Sequence, residues 1–149
     1  MADAHRFASV ILVDRRGWLL LQERDEHPRI DPECWGFVGG HVDEGEQADD
    51  AAYRELEEET GLRVDPPGLP LWQEFTVFHE AYGTDDSVRV YAAPTEATDA
   101  DVVLGEGRQI VFVDPAAVPA LPLTAAARVI LPLFLSSDRY RQLTQEHAP

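Results

Sequence analysis

Apolar and polar positions along the chain fall into a short series of blocks. "RFASVILVDRRGWLLLQER" carries two apolar runs, Phe7 to Val13 and Trp18 to Leu21, on either side of a polar turn at Asp14–Gly17. That is the pattern of a β-hairpin. The polar, proline-containing "DEHPRIDPE" follows as a loop, and "CWGFVGG" reads as a short extended piece ending in a glycine pair, where the backbone is free of Cβ restraints. From about Gln47 to Thr60 the chain is rich in Ala, Leu, Glu and Arg and lacks Gly and Pro, which predicts a helix. Gly61 stands where such a helix stops. Beyond it, "WQEFTVFHE", "VRVYAA" and "RQIVFV" read as strands joined by "AYGTDDS" and a segment ending in "LGEG". "PLTAAARVILPLFL" predicts a helix from near Thr124, interrupted by Pro132 if it is continuous, and "SSDRYRQL" a final turn or short helix. No repeat, low-complexity tract or linker divides residues 1–149, so one domain is expected, a mixed sheet with helices covering its faces.

The central helix poses a problem of charge. Glu55, Glu57, Glu58 and Glu59 gather at its C-terminal end, where the helix dipole already disfavours each carboxylate by about 0.3–1 kcal/mol. A solvated face would explain them only if they point outward. Taking Ala48 as zero and about 100° per residue, Ala51, Ala52 and Leu56 fall at about 300°, 40° and 80°. On the same wheel Glu55 lies near about 340° and Glu59 near about 20°, inside the apolar stripe, with Glu58 on its edge and Glu57 opposite. Buried carboxylates persist when paired, protonated or bound to a cation. Arg54 is placed to neutralise one of them, next to Glu55 and i,i+4 from Glu58. The remaining charge calls for a metal, and oxygen-only ligands indicate Mg²⁺ or Mn²⁺. The histidines (His5, His27, His41, His79, His147) show no zinc-ligand spacing.

Composition narrows the functional classes. A formal net charge of −16 argues against a binder of the nucleic-acid backbone, which needs a basic footprint. No apolar run reaches the roughly 20 residues of a membrane span, and the start lacks the basic region of a secretory signal. Cys34 is the single cysteine, in keeping with a reducing cytoplasm.

Gly40, Glu46, Arg54-Glu55-Leu56, Glu58-Glu59 and Gly61-Leu62 are spaced as GX5EX7REUXEEXGU, with U aliphatic. This resembles the complete Nudix box, and the flanking layout of strands and helices is also similar to that of Nudix hydrolases. The resemblance implies an α/β/α sandwich around a mixed β-sheet. It also implies hydrolysis of a nucleoside diphosphate linked to another moiety, with Mg²⁺ or Mn²⁺. Carried over, Glu55, Glu58 and Glu59 are the expected metal ligands, joined by the carbonyl of Gly39 or Gly40. Arg54 is the expected orienting partner and Glu46 a structural or outer contact. The general base is left open among Glu55, Glu58 and a carboxylate from a later loop, for which Glu106 in "LGEGRQIVFV" is the candidate. A catalytically silent nucleotide-sensing module is the alternative.

Substrate choice lies outside the box. Trp35, Phe37, Phe75, Phe78 and Tyr82 are candidates for stacking on a base, or for the core. Arg24, Arg29, Arg89 and Arg108 are candidates for gripping phosphate or sugar hydroxyls. The compact chain suits a small nucleotide, a nucleoside triphosphate or nucleotide sugar, handled by a monomer or homodimer.

Overall fold

A computed structural model describes residues 3–28 and 31–146, so Arg29 and His147 lie outside the described residues. Six strands form one sheet: β1 (Arg6–Val13), β2 (Leu19–Glu23), β3 (Trp35–His41), β4 (Leu71–His79), β5 (Thr84–Pro94) and β6 (Gln109–Val113). Their order is β4-β5-β1-β3-β2-β6. β1 and β5 run parallel and the other pairs antiparallel, so the sheet is mixed.

The expected turn-joined antiparallel pairing of β1 and β2 forms, but the strands part beyond the turn. These strands pair only next to their turn, at Val13↔Leu19, and β3 inserts between them. It pairs with β1 from Phe7↔His41 to Val10↔Val38 and with β2 from Leu21↔Phe37 to Glu23↔Trp35. The reason is visible in the runs themselves. Val10 to Val13 and Leu19 to Leu21 are continuously apolar and buried, as strands covered on both faces must be. A half-exposed hairpin would alternate.

Alternate side chains feed two cores. Ile11, Val13, Leu19, Leu21, Val88 and Val90 pack with Ile130, Leu131 and Phe134 of α2 (Ala125–Leu135) and Leu143 of α3 (Asp138–Glu146). Val10, Leu12, Leu20, Val38 and Tyr91 pack on the other face with Ala51, Ala52 and Leu56 of α1 (Ala48–Thr60). The result is the expected α/β/α sandwich. α2 is continuous through Pro132. The missing amide of Pro132 removes one hydrogen bond near the helix end, and the Thr124 hydroxyl caps the helix start by accepting from the Ala127 amide at 3.1 Å. Backbone bonds from Trp35 N to Pro122 O (2.7 Å) and from Thr124 N to Trp35 O (2.9 Å) pin that start against β3.

Candidate active site

The wheel argument for α1 holds in the structure. Glu59 is 6% exposed. Glu55 is half-buried, while Glu57 and Glu58 are exposed. α1 ends in a left-handed Gly61 (φ 73°) with no basic residue in its last turn. Its final carbonyls are satisfied by the loop leading to β6, with Val103 N donating to Thr60 O (2.8 Å) and Gly105 N to Glu59 O (2.9 Å). A Cβ at Gly105 would lie 2.5 Å from Glu58 O, so glycine is what lets the loop close on the helix. This docking carries Glu106 to the cleft beside Glu59, and Gln22 Nε2 fixes the loop by donating to Glu106 O at 2.9 Å.

Two glycines of β3 bring the helix carboxylates through to the cleft. Gly39, at φ 141°, donates its amide to Glu59 Oε2 at 3.0 Å. A Cβ at Gly40 would lie 2.8 Å from the Glu55 carboxyl carbon, the space that carboxylate needs. The cleft encloses about 600 Å³, and Arg24, Phe37, Gly39, Gly40, Glu55, Glu59, Tyr82 and Glu106 are among the residues lining it.

Arg54 organises the helix carboxylates. Its Nε and Nη2 donate to the two oxygens of Glu46 at 2.8 and 2.9 Å. Nη1 donates to Glu55 (2.9 Å) and Glu58 (3.1 Å), and Nη2 also reaches the His41 carbonyl at 3.2 Å. The planar fork of arginine suits this divided role. Arg54 and the Asp43 amide hold the Glu46 carboxyl down at about 2, so Glu46 serves as the anchor of the arginine. Burial raises the Glu55 carboxyl and Arg54 opposes the rise. Glu59 lies deeper than either. Burial first, then repulsion from Glu55 and Glu106, pushes it up to about 8, against the opposing Gly39 hydrogen bond. Without a cation, an ionised Glu59 is therefore costly in this cleft.

An oxygen-only donor set of this charge fits a hard divalent cation. The fit is open rather than tightly closed. Among the described residues, the trio of acidic or imidazole groups whose ligand atoms lie within 4.8 Å of one another is Asp25, Glu26 and His27, at an exposed loop, with Asp25 and His27 lining the cleft. Glu55 and Glu58 share Nη1 of Arg54, and Glu59 is held by the Gly39 amide.

Other expected residues fall elsewhere. Trp35 is packed in the core beneath α2 and does not line the cleft. Phe78 is 54% exposed on β4, and Phe75 packs against Trp72. Arg89 faces Glu74 at 3.6 Å, and Arg108 is paired with Glu26 and Glu33. None of these is among the residues lining the cleft. In their place the cleft is lined by Phe7, His41 and His79, which lie in separate strands and share no spacing in sequence.

A model of the NUDIX domain matches residues 3–134. The chain belongs to the Nudix family. It is 34% identical over 123 residues to the dihydroneopterin triphosphate diphosphatase of Escherichia coli K12, covering 76% of this chain and 74% of that enzyme. A shorter match, 45% over 58 residues, links it to the m7GpppN-mRNA hydrolase NUDT17 of Xenopus laevis. That match spans 37% of this chain and only 20% of the relative. Among solved structures, the MutT NUDIX hydrolase of Burkholderia pseudomallei superposes with a TM-score of 0.73 at 27% identity, covering 87% of this chain and 97% of that one.

Proposed function

We propose that this hydrolase cleaves a pyrophosphate bond in a nucleoside diphosphate derivative, of the nucleoside triphosphate or nucleotide-sugar type, with Mg²⁺ or Mn²⁺. The observation that carries the proposal is the convergence of Glu55, Glu59 and Glu106 in the cleft, where burial and mutual repulsion make an ionised Glu59 costly without a cation. Glu55, Glu58, Glu59, Glu106 and the carbonyl of Gly39 or Gly40 are the groups that would hold the cation. When bound, Mg²⁺ or Mn²⁺ screens a polyanionic substrate and acidifies a bound water. Arg54 keeps Glu55 and Glu58 oriented, which preorganises these carboxylates before substrate arrives. A carboxylate facing the cleft, Glu55 or Glu106, accepts the proton of the attacking water. Arg24, which follows the end of β2 at the cleft and opposes the rise at Glu59, is placed to meet a phosphate.

The deciding experiment is phosphate release from a panel of dNTPs, oxidised dGTP, dihydroneopterin triphosphate, ADP-ribose, nucleotide sugars and dinucleoside polyphosphates. Each is run with Mg²⁺ and with Mn²⁺, and coupled separately to inorganic pyrophosphatase and alkaline phosphatase. Metal-dependent turnover of one class establishes reaction and substrate type together. Silence across the panel, from a folded protein that binds the cation, would favour the sensing alternative.

A further inference from the structure

Part of the cleft lining is built of rings. Phe7 of β1 lies 4.4 Å from His41 and 5.3 Å from His79, centroid to centroid, and Tyr82 stacks on His5 at 3.8 Å with 13° between planes. Phe7, His41, His79 and Tyr82 all line the cleft. The cleft lining thus combines carboxylates with aromatic and imidazole rings. A ligand that meets both has an anionic part that a cation can bridge and an uncharged planar part.

Within the aromatic wall, His79 is held differently from the rest. It is 5% exposed, and its Nδ1 lies 2.7 Å from Oδ2 of Asp86, which is fully buried. Oδ1 of Asp86 accepts from the His5 amide and from the Thr84 hydroxyl, both at 2.7 Å. Burial alone would raise the Asp86 carboxyl, but these donors and His79 outweigh it and hold it below the ordinary range. An ionised carboxylate only accepts, so Nδ1 of His79 must donate. In the neutral ring Nε2 is then left with a lone pair, and among the described residues no hydrogen bond engages it. No buried side-chain nitrogen or oxygen among the described residues lacks a partner, so Nε2 is not sealed in the core. His79 is among the residues lining the cleft.

We propose that this wall is the subsite for a planar heteroaromatic ring of the substrate, and that His79, fixed by Asp86, accepts through Nε2 a hydrogen bond from a ring N–H or amine. Asp86 and Thr84 are positioning residues, because they set the tautomer without touching the ligand. Phe7, His41 and Tyr82 supply the stacking surface. This rests on the hydrolase reading and deepens it, by assigning the half of the substrate that does not react.

The test separates the two. Protein labelled with ¹⁵N-histidine is titrated at pH 8, without metal, with guanosine, adenosine and uridine, and with ribose as the ring-free control. The wild-type spectrum is expected to show His79 protonated at Nδ1, and at least one nucleoside to shift its Nε2 resonance while ribose does not. His79→Asn keeps an amide donor for Asp86 and removes the atom at Nε2. It is expected to weaken that nucleoside about tenfold with an unchanged melting temperature, and to raise KM for the matching nucleotide more than it lowers kcat. A His79 ring protonated only at Nε2, or an Nε2 signal that none of the three nucleosides moves, overturns the proposal even if nucleotides are hydrolysed. Nucleosides that shift His79 while no pyrophosphate in the panel is cleaved would leave the subsite standing and remove the hydrolase reading.

Discussion

Replacing Glu59 by glutamine tests the electrostatics of the cleft most directly. Without a cation, Glu59 holds its proton up to about 8, against an ordinary value of 4.5. The native state therefore binds more protons than the unfolded state between those pH values, and stability must fall as pH rises through that window. A rise of this size corresponds to roughly 5 kcal/mol at about 1.36 kcal/mol per pH unit. Relaxation and water entry leave about 2–3 kcal/mol as the working expectation. The substituted amide would still accept the Gly39 hydrogen bond through its oxygen and carries no charge, so Glu59→Gln escapes the penalty. In melts followed by circular dichroism with EDTA, the two proteins are expected to coincide near pH 4.5. The variant should gain stability over the wild type as pH rises to 8.5, ending about 4–12 °C higher at about 2–4 °C per kcal/mol for a chain of this size. Saturating Mg²⁺ should narrow the gap by stabilising only the protein that binds it well. A gap that stays constant from pH 4.5 to 8.5, or a variant less stable than wild type at the upper end, would refute the buried-charge argument.

Three further outcomes are expected. Glu58→Gln should lower turnover at least about a hundredfold in the presence of Mg²⁺ with the fold intact by circular dichroism, the scale of losing a group that holds the reacting charge; turnover like the wild type would remove Glu58 from the site. Gly40→Ala should displace the Glu55 carboxylate, since the new Cβ would sit 2.8 Å from its carboxyl carbon; calorimetric titration should show Mg²⁺ affinity reduced severalfold, and unchanged affinity would exclude Glu55 as a ligand. Leu56→Ala, fully buried against the sheet, should cost about 2–5 kcal/mol in urea unfolding without altering the pH dependence assigned to Glu59.

Much of the chemistry was legible along the chain because it lies on one helix. Helical geometry alone turns Glu55 and Glu59 toward the apolar stripe and Glu57 away, and Arg54 reaches Glu58 because they are one turn apart. Gly61 stops the helix for a local reason too, its left-handed backbone. Apolar runs marked β1, β2, β4, β5 and β6 for the same kind of reason: each side chain's neighbours on the strand are near in sequence. Partner choice among strands is not local. The insertion of β3 between β1 and β2 depends on burying both faces of those strands, which only the assembled sheet can do. That insertion also decides which aromatics face the cleft. It places Trp35 in the core and aligns His41 with Phe7. His79 and Asp86 are seven residues apart across the β4–β5 turn, yet what gives them meaning is the His5 amide and the Phe7 ring, delivered by a strand at the other end of the chain. The sequence by itself determined the helix carboxylates of the cleft, through helix periodicity; tertiary structure decided the delivery of Glu106 and which rings line the cleft, because those groups meet only when distant strands and loops pack.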